Sequence, residues 1–200
     1  MRSRADAAEE AGEWLLAARG VYGLDLLLQR QFVGVAGEGA DPFYGMSTAS
    51  AGGYSAPALG DVDGDGDEDV FFGGASGQAS SLALNNGKGG FVLAPQPQFS
   101  NKEMTLFEDM GALFLDSDSD GDLDLYLVNG CRLEEDPYAS PNQHQTSLYR
   151  TLGQGRFEDA TFASSTGDRQ FGHGCAVGDY DVDGFPDLYI SNFGRNTLLH

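Results

Sequence analysis

Short apolar segments alternate with polar, glycine-rich stretches over most of the chain. The apolar segments are rich in β-branched and aromatic residues and have the length of β-strands rather than helices. They occur in pairs, with a small apolar segment before a polar loop and a second one directly after it. This pattern predicts three strand–loop–strand units, whose flanking segments are residues 56–59 and 70–73, 112–115 and 125–128, and 175–178 and 188–191.

A hairpin signature follows the first two units. Residues 82–91 align without a gap on residues 148–157, and each segment carries two glycines two residues apart. Glycine supplies the positive φ angles that tight hairpins require. Each complete unit is therefore predicted to contain four antiparallel strands.

The units repeat after 55 and then 63 residues, counted between Asp61, Asp116 and Asp179. Four-stranded units of this length are typical of β-propeller blades. We therefore predict an all-β fold, a partial β-propeller with calcium-binding loops, over residues 51–200. Its blades would cover residues 56–95, 111–162 and 174–200, the third being truncated. Open strand edges invite pairing, so we expect the remaining blades to come from a longer chain.

Two further segments interrupt or precede the repeats. Residues 129–147 are polar and contain proline, which indicates a surface loop. The first 50 residues do not repeat clearly, and residues 5–19 predict a short helix. The rest of this N-terminal segment is either irregular or a degenerate blade. No transmembrane span is predicted, and the first residues do not read as a secretory signal.

The loop in each unit is acidic and follows one pattern. Aspartates occupy positions 1, 3, 5 and 9 of a nine-residue segment, with glycine at position 6. Carboxylate oxygens are the ligands that Ca²⁺ prefers, and the glycine permits the sharp turn that returns position 9 to position 1. Position 7 normally contributes its backbone carbonyl. One copy would be an ordinary solvated turn, but three copies in register predict about three Ca²⁺ sites.

The formal net charge is −20, and the three loops hold six, five and four of the 31 acidic residues. Two carboxylates about 4 Å apart repel by roughly 1–4 kcal/mol near a protein surface. The concentrated charge therefore favours a bound cation in each loop. It disfavours nucleic acid as a partner, because no basic patch is present.

Other readings of the loops explain less. An EF-hand needs a glutamate at position 12 between two helices, whereas these loops have Phe72, Leu127 and Ile190 there, which excludes a calcium sensor of that type. Paired carboxylates could also act as acid and base in glycoside cleavage. That role would account for two members of each set rather than for the whole spacing.

The motifs resemble the FG-GAP, or VCBS, repeats of integrin-α-like β-propellers, and most closely the ASPIC/UnbV and cartilage acidic protein-like family. The resemblance covers residues 56–200 and includes the acidic loops, residues 147–149 and the hairpin over residues 153–159. It implies a secreted or surface calcium-binding module. It also implies the metal ligands, by side chain at positions 1, 3, 5 and 9 and by carbonyl at position 7: Asp61, Asp63, Asp65, Asp67 and Asp69; Asp116, Asp118, Asp120, Asp122 and Asp124; Asp179, Asp181, Asp183, Phe185 and Asp187.

The function expected from these features is a non-catalytic, calcium-stabilised module for adhesion or recognition of a protein or glycan ligand. An extracellular or periplasmic location follows from the family and from the weak affinity of open calcium sites. The alternative is a propeller-scaffold enzyme, a hydrolase or lyase, with its active site outside these residues.

Catalytic candidates within the chain are few. His173 and Cys175 lie two apart on a predicted strand and so share a face, but no third group orients them. Packing of the histidine and burial of the thiol is the simpler interpretation, and His144 is interpreted as a loop residue. Cys131 and Cys175 either form the one possible disulfide or are two separate thiols.

Overall fold

The computed structural model describes residues 57–75, 78–100, 108–130 and 146–200. The predicted N-terminal helix, the possible degenerate blade and most of the 129–147 loop lie outside these residues. Within the described part, no helix has both the length and the apolar character needed to cross a membrane.

The described chain folds into three antiparallel sheets, each a simple meander of strands consecutive in sequence. The prediction of an all-β, partial β-propeller fold is confirmed. Blade 1 contains β1 (Pro57–Gly60), β2 (Asp69–Phe72), β3 (Ser81–Asn85) and β4 (Phe91–Ala94), followed by a 3₁₀ turn (Pro97–Ser100). Blade 2 contains β5 (Glu108–Leu115), β6 (Asp124–Gly130), β7 (Ser147–Thr151) and β8 (Phe157–Asp159), followed by the short helix α1 (Thr161–Ser164). Blade 3 contains β9 (Gly172–Gly178), β10 (Asp187–Asn192) and β11 (Thr197–Leu199).

The hairpins between third and fourth strands form where the glycine pairs predict them. Gly87 and Gly89 have φ angles of 64° and 82°, and Gly153 and Gly155 have 76° and 65°. Residues with side chains rarely adopt these angles, so glycine fixes where each hairpin turns. The hairpins pair Ala83 with Leu93 in blade 1 and Arg150 with Glu158 in blade 2.

An apolar core fills the space between blades 1 and 2. Phe99, from the 3₁₀ turn, is 1% exposed and lies at its centre. The Phe99 ring makes edge contacts with Phe71 of blade 1 and Tyr149 of blade 2, with centroids 5.5 and 5.1 Å apart. Gln96 and Gln98, beside this turn, donate side-chain hydrogen bonds to the carbonyls of Gly155 and Phe157 in blade 2. The segment after β4 therefore joins blade 1 to blade 2.

One row of side chains across each sheet faces the next blade. In blade 1 the row contains Phe71, which packs in the core shared with blade 2. Tyr126, in the same row of blade 2, packs against Leu188 and Ile190 of blade 3. The corresponding residues of blade 3, Tyr189 and Leu198, are 44% and 47% exposed. Blade 3 thus presents the surface that blades 1 and 2 use for packing against a neighbour.

The first strands of neighbouring blades approach closely at a glycine. A Cβ atom added to Gly111 of β5 would lie 2.9 Å from the Cα of Gly174 in β9 and 3.3 Å from Val128 Cβ. Real Cβ atoms do not approach other carbons so closely, so the spacing of β5 and β9 requires glycine at position 111.

A buried carboxylate joins blades 1 and 2 at the end opposite the acidic loops. Asp109 of β5 accepts hydrogen bonds from the Gly74 amide, at 2.7 Å, and from the Ser80 hydroxyl. The Asp109 amide in turn donates to the Gly74 carbonyl at 2.9 Å. Asp109 is 4% exposed, and burial raises its pKa to about 6.

Replacement of Asp109 by asparagine should therefore change how stability depends on pH. Because the folded pKa is above the ordinary 3.8, the stabilising contribution of this group is complete below pH 3.8 and is lost as pH rises through about 6. That loss is about 3 kcal/mol, at about 1.4 kcal/mol per pKa unit. The asparagine side chain keeps an acceptor oxygen without the charge, so Asp109→Asn should be more stable than the parent at pH 8 and similar at pH 4. Urea unfolding across this range measures the difference.

The control for this experiment is Glu68→Gln, which removes an exposed carboxyl from the first acidic loop. A free-energy difference between Asp109→Asn and the parent that stays constant from pH 4 to pH 8 would contradict the prediction.

Candidate metal centres

The three acidic loops share one pattern of backbone hydrogen bonds. In every loop, the carboxylate of the aspartate at position 1 accepts hydrogen bonds from the backbone amides at positions 5 and 6, at 2.9–3.1 Å. The carboxylate of the aspartate at position 5 accepts a hydrogen bond from the backbone amide at position 7, at 2.9–3.0 Å. The glycine at position 6 has a φ angle of 93–95° in all three loops. The repeated sequence therefore produces the same loop conformation three times.

The ninth residue connects each loop to the sheet. Asp69 and Asp124 are fully buried and Asp187 is 4% exposed. One oxygen of each carboxylate accepts a hydrogen bond from the backbone amide at position 2 of its loop, at 2.8–3.1 Å. In blades 1 and 2 the other oxygen accepts from the third strand, through the Asn85 and Thr151 amides at 2.7 and 2.8 Å, whereas in blade 3 it lies 3.0 Å from His200 Nδ1. The ninth aspartate thus holds the loop closed against β3 or β7, a structural role that the spacing alone did not reveal.

Carboxylate oxygens converge in every loop. In loops 1 and 3 the converging residues occupy positions 1, 3 and 9, and in loop 2 they occupy positions 1, 3 and 5. Their oxygen atoms lie within 4.8 Å of one another. In loop 2 the ninth carboxylate also accepts from the Ser117 hydroxyl. The groups are Asp61, Asp63 and Asp69; Asp116, Asp118 and Asp120; and Asp179, Asp181 and Asp187; in loop 3, Asp181 and Asp183 also converge with His200.

The other predicted ligands have different surroundings. Asp65 and Asp183 are exposed at position 5, and Asp122 is exposed at position 7. The Asp67 carboxylate faces Gly87, whose added Cβ would lie 2.5 Å from Asp67 Oδ2. The Phe185 side chain is 64% exposed and has no ligand atom, so only its backbone carbonyl could bind a cation. The ligand role of these five residues, like that of the other predicted ligands, stays a prediction.

Loop 1 carries unbalanced negative charge. Burial raises the pKa of Asp63, and the neighbouring charges of Asp65 and Asp61 raise it further. Burial also raises the pKa of Asp69, while hydrogen bonds from the Asn85 and Val62 amides act in the opposite direction. A bound cation would relieve both effects, because it favours the ionised form.

Two basic side chains lie beside the loops at one position of the repeat. Arg150 follows Tyr149 on β7, and its Nη1 is 3.8 Å from Asp118 Oδ2. His200 follows β11, with its Nδ1 3.0 Å from Asp187 Oδ1 and 3.7 Å from Asp181 Oδ2. The hydrogen bond to Asp187 and the charge of Asp181 raise the pKa of His200. The sequence analysis missed both residues, because the strand register that brings them to the loops is not visible in the motif.

The donor set suits a hard divalent cation. Every predicted side-chain ligand is a carboxylate, and the ligand predicted at position 7 is a backbone carbonyl. All-oxygen ligation of this kind selects Ca²⁺, Mg²⁺ or Mn²⁺ over softer metals, and flexible loops with many ligands favour Ca²⁺ over Mg²⁺. The residues present therefore fit the calcium ion that the motif implies.

The two catalytic candidates on β9, His173 and Cys175, do not lie in the same environment. Cys175 has a free thiol that packs in the core between blades 2 and 3, and burial raises its pKa to about 12. His173 is exposed, and its ring lies 5.0 Å from that of Phe171. A protonated, buried thiol is a poor nucleophile. Cys131 and His144 lie outside the described residues.

Residues 61–127 match the model of the FG-GAP-like repeat family. No curated protein matches the chain. The matched segment begins at the first acidic loop, includes the whole second loop and ends within β6. FG-GAP repeats are found in β-propeller modules for adhesion and recognition. The match spans about a third of the chain and coincides with two of the three repeated loops, so this segment is similar to FG-GAP-like repeats.

Proposed function

We propose that this protein is a non-catalytic, calcium-binding β-propeller module for recognition or adhesion, in which Ca²⁺ stabilises each blade. The observation that carries the proposal is the three-fold repetition of one loop conformation with converging carboxylates. Position 1 would ligate in every loop together with position 3, and positions 5, 7 and 9 would complete each site. A bound ion would offset part of the negative charge of the loop and hold the ends of the first two strands together.

The hydrogen bonds of the ninth aspartate support a structural role for the metal. Asp69 already joins loop 1 to β3, because it accepts from the Val62 and Asn85 amides. An ion ligated by the same loop would link this connection to the aspartates at positions 3 and 5. Since an unfolded loop does not present these groups together, binding free energy becomes folding free energy.

The expected affinity bears on location. Open calcium sites of extracellular modules bind with Kd values of about 10⁻⁴–10⁻³ M. Such sites fill only where free calcium is abundant, which supports an extracellular or periplasmic location. The finer resemblance to the ASPIC/UnbV and cartilage acidic protein-like family is compatible with such a location and is part of the proposal.

The partners follow from surfaces left open by the fold. Tyr189 and Leu198 of blade 3 lie in the row that blades 1 and 2 bury against a neighbour. We infer that a further blade covers this row and belongs to a longer chain. The recognised ligand, a protein or glycan, would contact the loops between strands rather than the blade faces, since the faces are used for packing.

Direct measurement of calcium binding tests the proposal. Isothermal titration of the metal-free protein with CaCl₂ should show about three sites, and Asp65→Asn should abolish or weaken one of them at least tenfold, because position 5 loses a charged ligand. Glu68→Gln is the matched control: it removes an exposed charge from the same loop at a position that is not a predicted ligand. No saturable uptake of Ca²⁺ by the parent protein would overturn the proposal.

A further inference from the structure

The loops differ in the residue that the third strand places beside them. Leu84 follows Ala83, the partner of Val70, and Arg150 follows Tyr149, the partner of Leu125. Leu84 and Arg150 therefore occupy the same position of the repeat, each opposite the ninth residue of its loop. One residue is apolar and the other carries a permanent positive charge.

Packing between blades explains how the two residues can differ. Leu84 is partly buried in the core between blades 1 and 2, and a Cβ added to Gly155 of blade 2 would lie 2.9 Å from Leu84 Cδ2. Arg150 instead lines an open groove of about 640 Å³ between blades 2 and 3. Half of its side chain is solvent-accessible, so a charge is tolerated there.

The charge of Arg150 is directed at a predicted metal ligand. Its Nη1 lies 3.8 Å from Asp118 Oδ2, at position 3 of loop 2. Its Nε donates to Glu158 Oε1 at 3.1 Å, and its Nη2 contacts the same oxygen. Glu158 thus holds the guanidinium in place, and the remaining nitrogen faces the loop. In blade 1, Leu84 brings no charge to Asp63.

We propose that Arg150 opposes cation binding in loop 2, so that loop 1 binds Ca²⁺ more tightly than loop 2. This inference rests on the proposed function. Arg150 partly neutralises the position-3 carboxylate before any metal arrives, and it repels the metal once bound. The other acidic residues act in the same direction, since loop 1 holds six and loop 2 holds five. The number of charges around a site sets calcium affinity.

The first arm of the test compares the two loops in isolation. Asp120→Asn/Asp183→Asn leaves loop 1 with all its predicted ligands, and Asp65→Asn/Asp183→Asn leaves loop 2. Calcium titration in low salt should give a Kd for loop 1 that is at least about threefold lower, and the difference should shrink in 0.5 M NaCl because salt screens the exposed charge. Equal affinities in low salt would overturn the inference.

The second arm isolates the residue. In the loop 2 background, Arg150→Leu, which installs the residue of blade 1, should lower the Kd about three- to tenfold, whereas Arg150→Lys should stay within about twofold of the background. Arg150→Leu/Glu158→Gln should keep the gain, because the released Glu158 charge is then absent. Arg156→Leu is the matched control, since the Arg156 guanidinium donates hydrogen bonds to the Gly153 and Leu152 carbonyls of the hairpin rather than to an acidic loop.

The outcomes separate the two proposals. Calcium uptake by the parent with equal effects of Arg150→Leu and Arg156→Leu would overturn the role of Arg150 and leave the proposed function in place. No uptake by the parent at any loop would overturn both. Circular dichroism of each variant checks that it is folded, and Arg150→Gln provides the test should Arg150→Leu fail to fold: a Kd about three- to tenfold lower than the background supports a role for charge, and an unchanged Kd contradicts it.

Discussion

Removal of calcium should lower the melting temperature of this protein by about 15–30 °C. A site with a Kd of about 10⁻⁴ M contributes about 2 kcal/mol at about 5 mM free Ca²⁺, and three such sites contribute about 7 kcal/mol. In a protein of this size, 1 kcal/mol corresponds to about 2–4 °C. The destabilisation is large because the emptied loops retain fifteen acidic residues that repel one another. Thermal unfolding followed by circular dichroism, in 5 mM CaCl₂ and in excess EDTA, measures the shift.

Two controls show whether the shift comes from the loops. Added MgCl₂ should restore less stability than CaCl₂, because Mg²⁺ demands a tighter octahedral site and dehydrates reluctantly. The triple variant Asp65→Asn/Asp120→Asn/Asp183→Asn should melt at nearly the same temperature with and without calcium. An EDTA-treated parent that melts within about 2 °C of the calcium-loaded parent would refute structural calcium at these loops.

Truncation of Phe99 to alanine should cost about 3–5 kcal/mol of stability. The Phe99 ring is 1% exposed and fits between Phe71, Tyr149 and Phe157, so its removal leaves a cavity between two rigid sheets. Blade 1 and blade 2 pack against each other over this ring. Urea unfolding should therefore show a much lower midpoint for Phe99→Ala.

Phe162 provides the matched control. It lies on α1 after the fourth strand of blade 2, much as Phe99 follows that of blade 1, but its side chain is 96% exposed. Phe162→Ala should change stability by less than about 0.5 kcal/mol. Similar losses for the two variants would show that Phe99 does not fill the space between the blades.

The loops and hairpins were accessible to sequence reasoning because their determinants are local. Aspartate at positions 1 and 5 bonds to amides a few residues away, and glycine at position 6 adopts a positive φ angle. Asp61 and its equivalents therefore fix the loop conformation within nine residues. Gly153 and Gly155 fix the second hairpin in the same way, so neither feature depends on distant parts of the chain.

The strand register and the packing between blades were not accessible, because they depend on residues far apart in sequence. Phe99 belongs to a segment with no strand pattern, and its burial follows from two sheets closing over it. Asp109 reads as an ordinary acidic residue near the start of a strand, yet it bonds to an amide 35 residues away. Arg150 faces Asp118 only because β7 pairs with β6 in one particular register.

The sequence by itself determined the repeated unit, the strand order within it and the acidic loops, because short-range hydrogen bonds and glycine conformations specify all three. Only the tertiary structure decided which aspartates converge, that the ninth is buried and bonded to the third strand, and which basic residue reaches a loop. Those features arise when sheets stack and buried polar groups must find partners, and side chains that meet in this way carry no common signature along the chain.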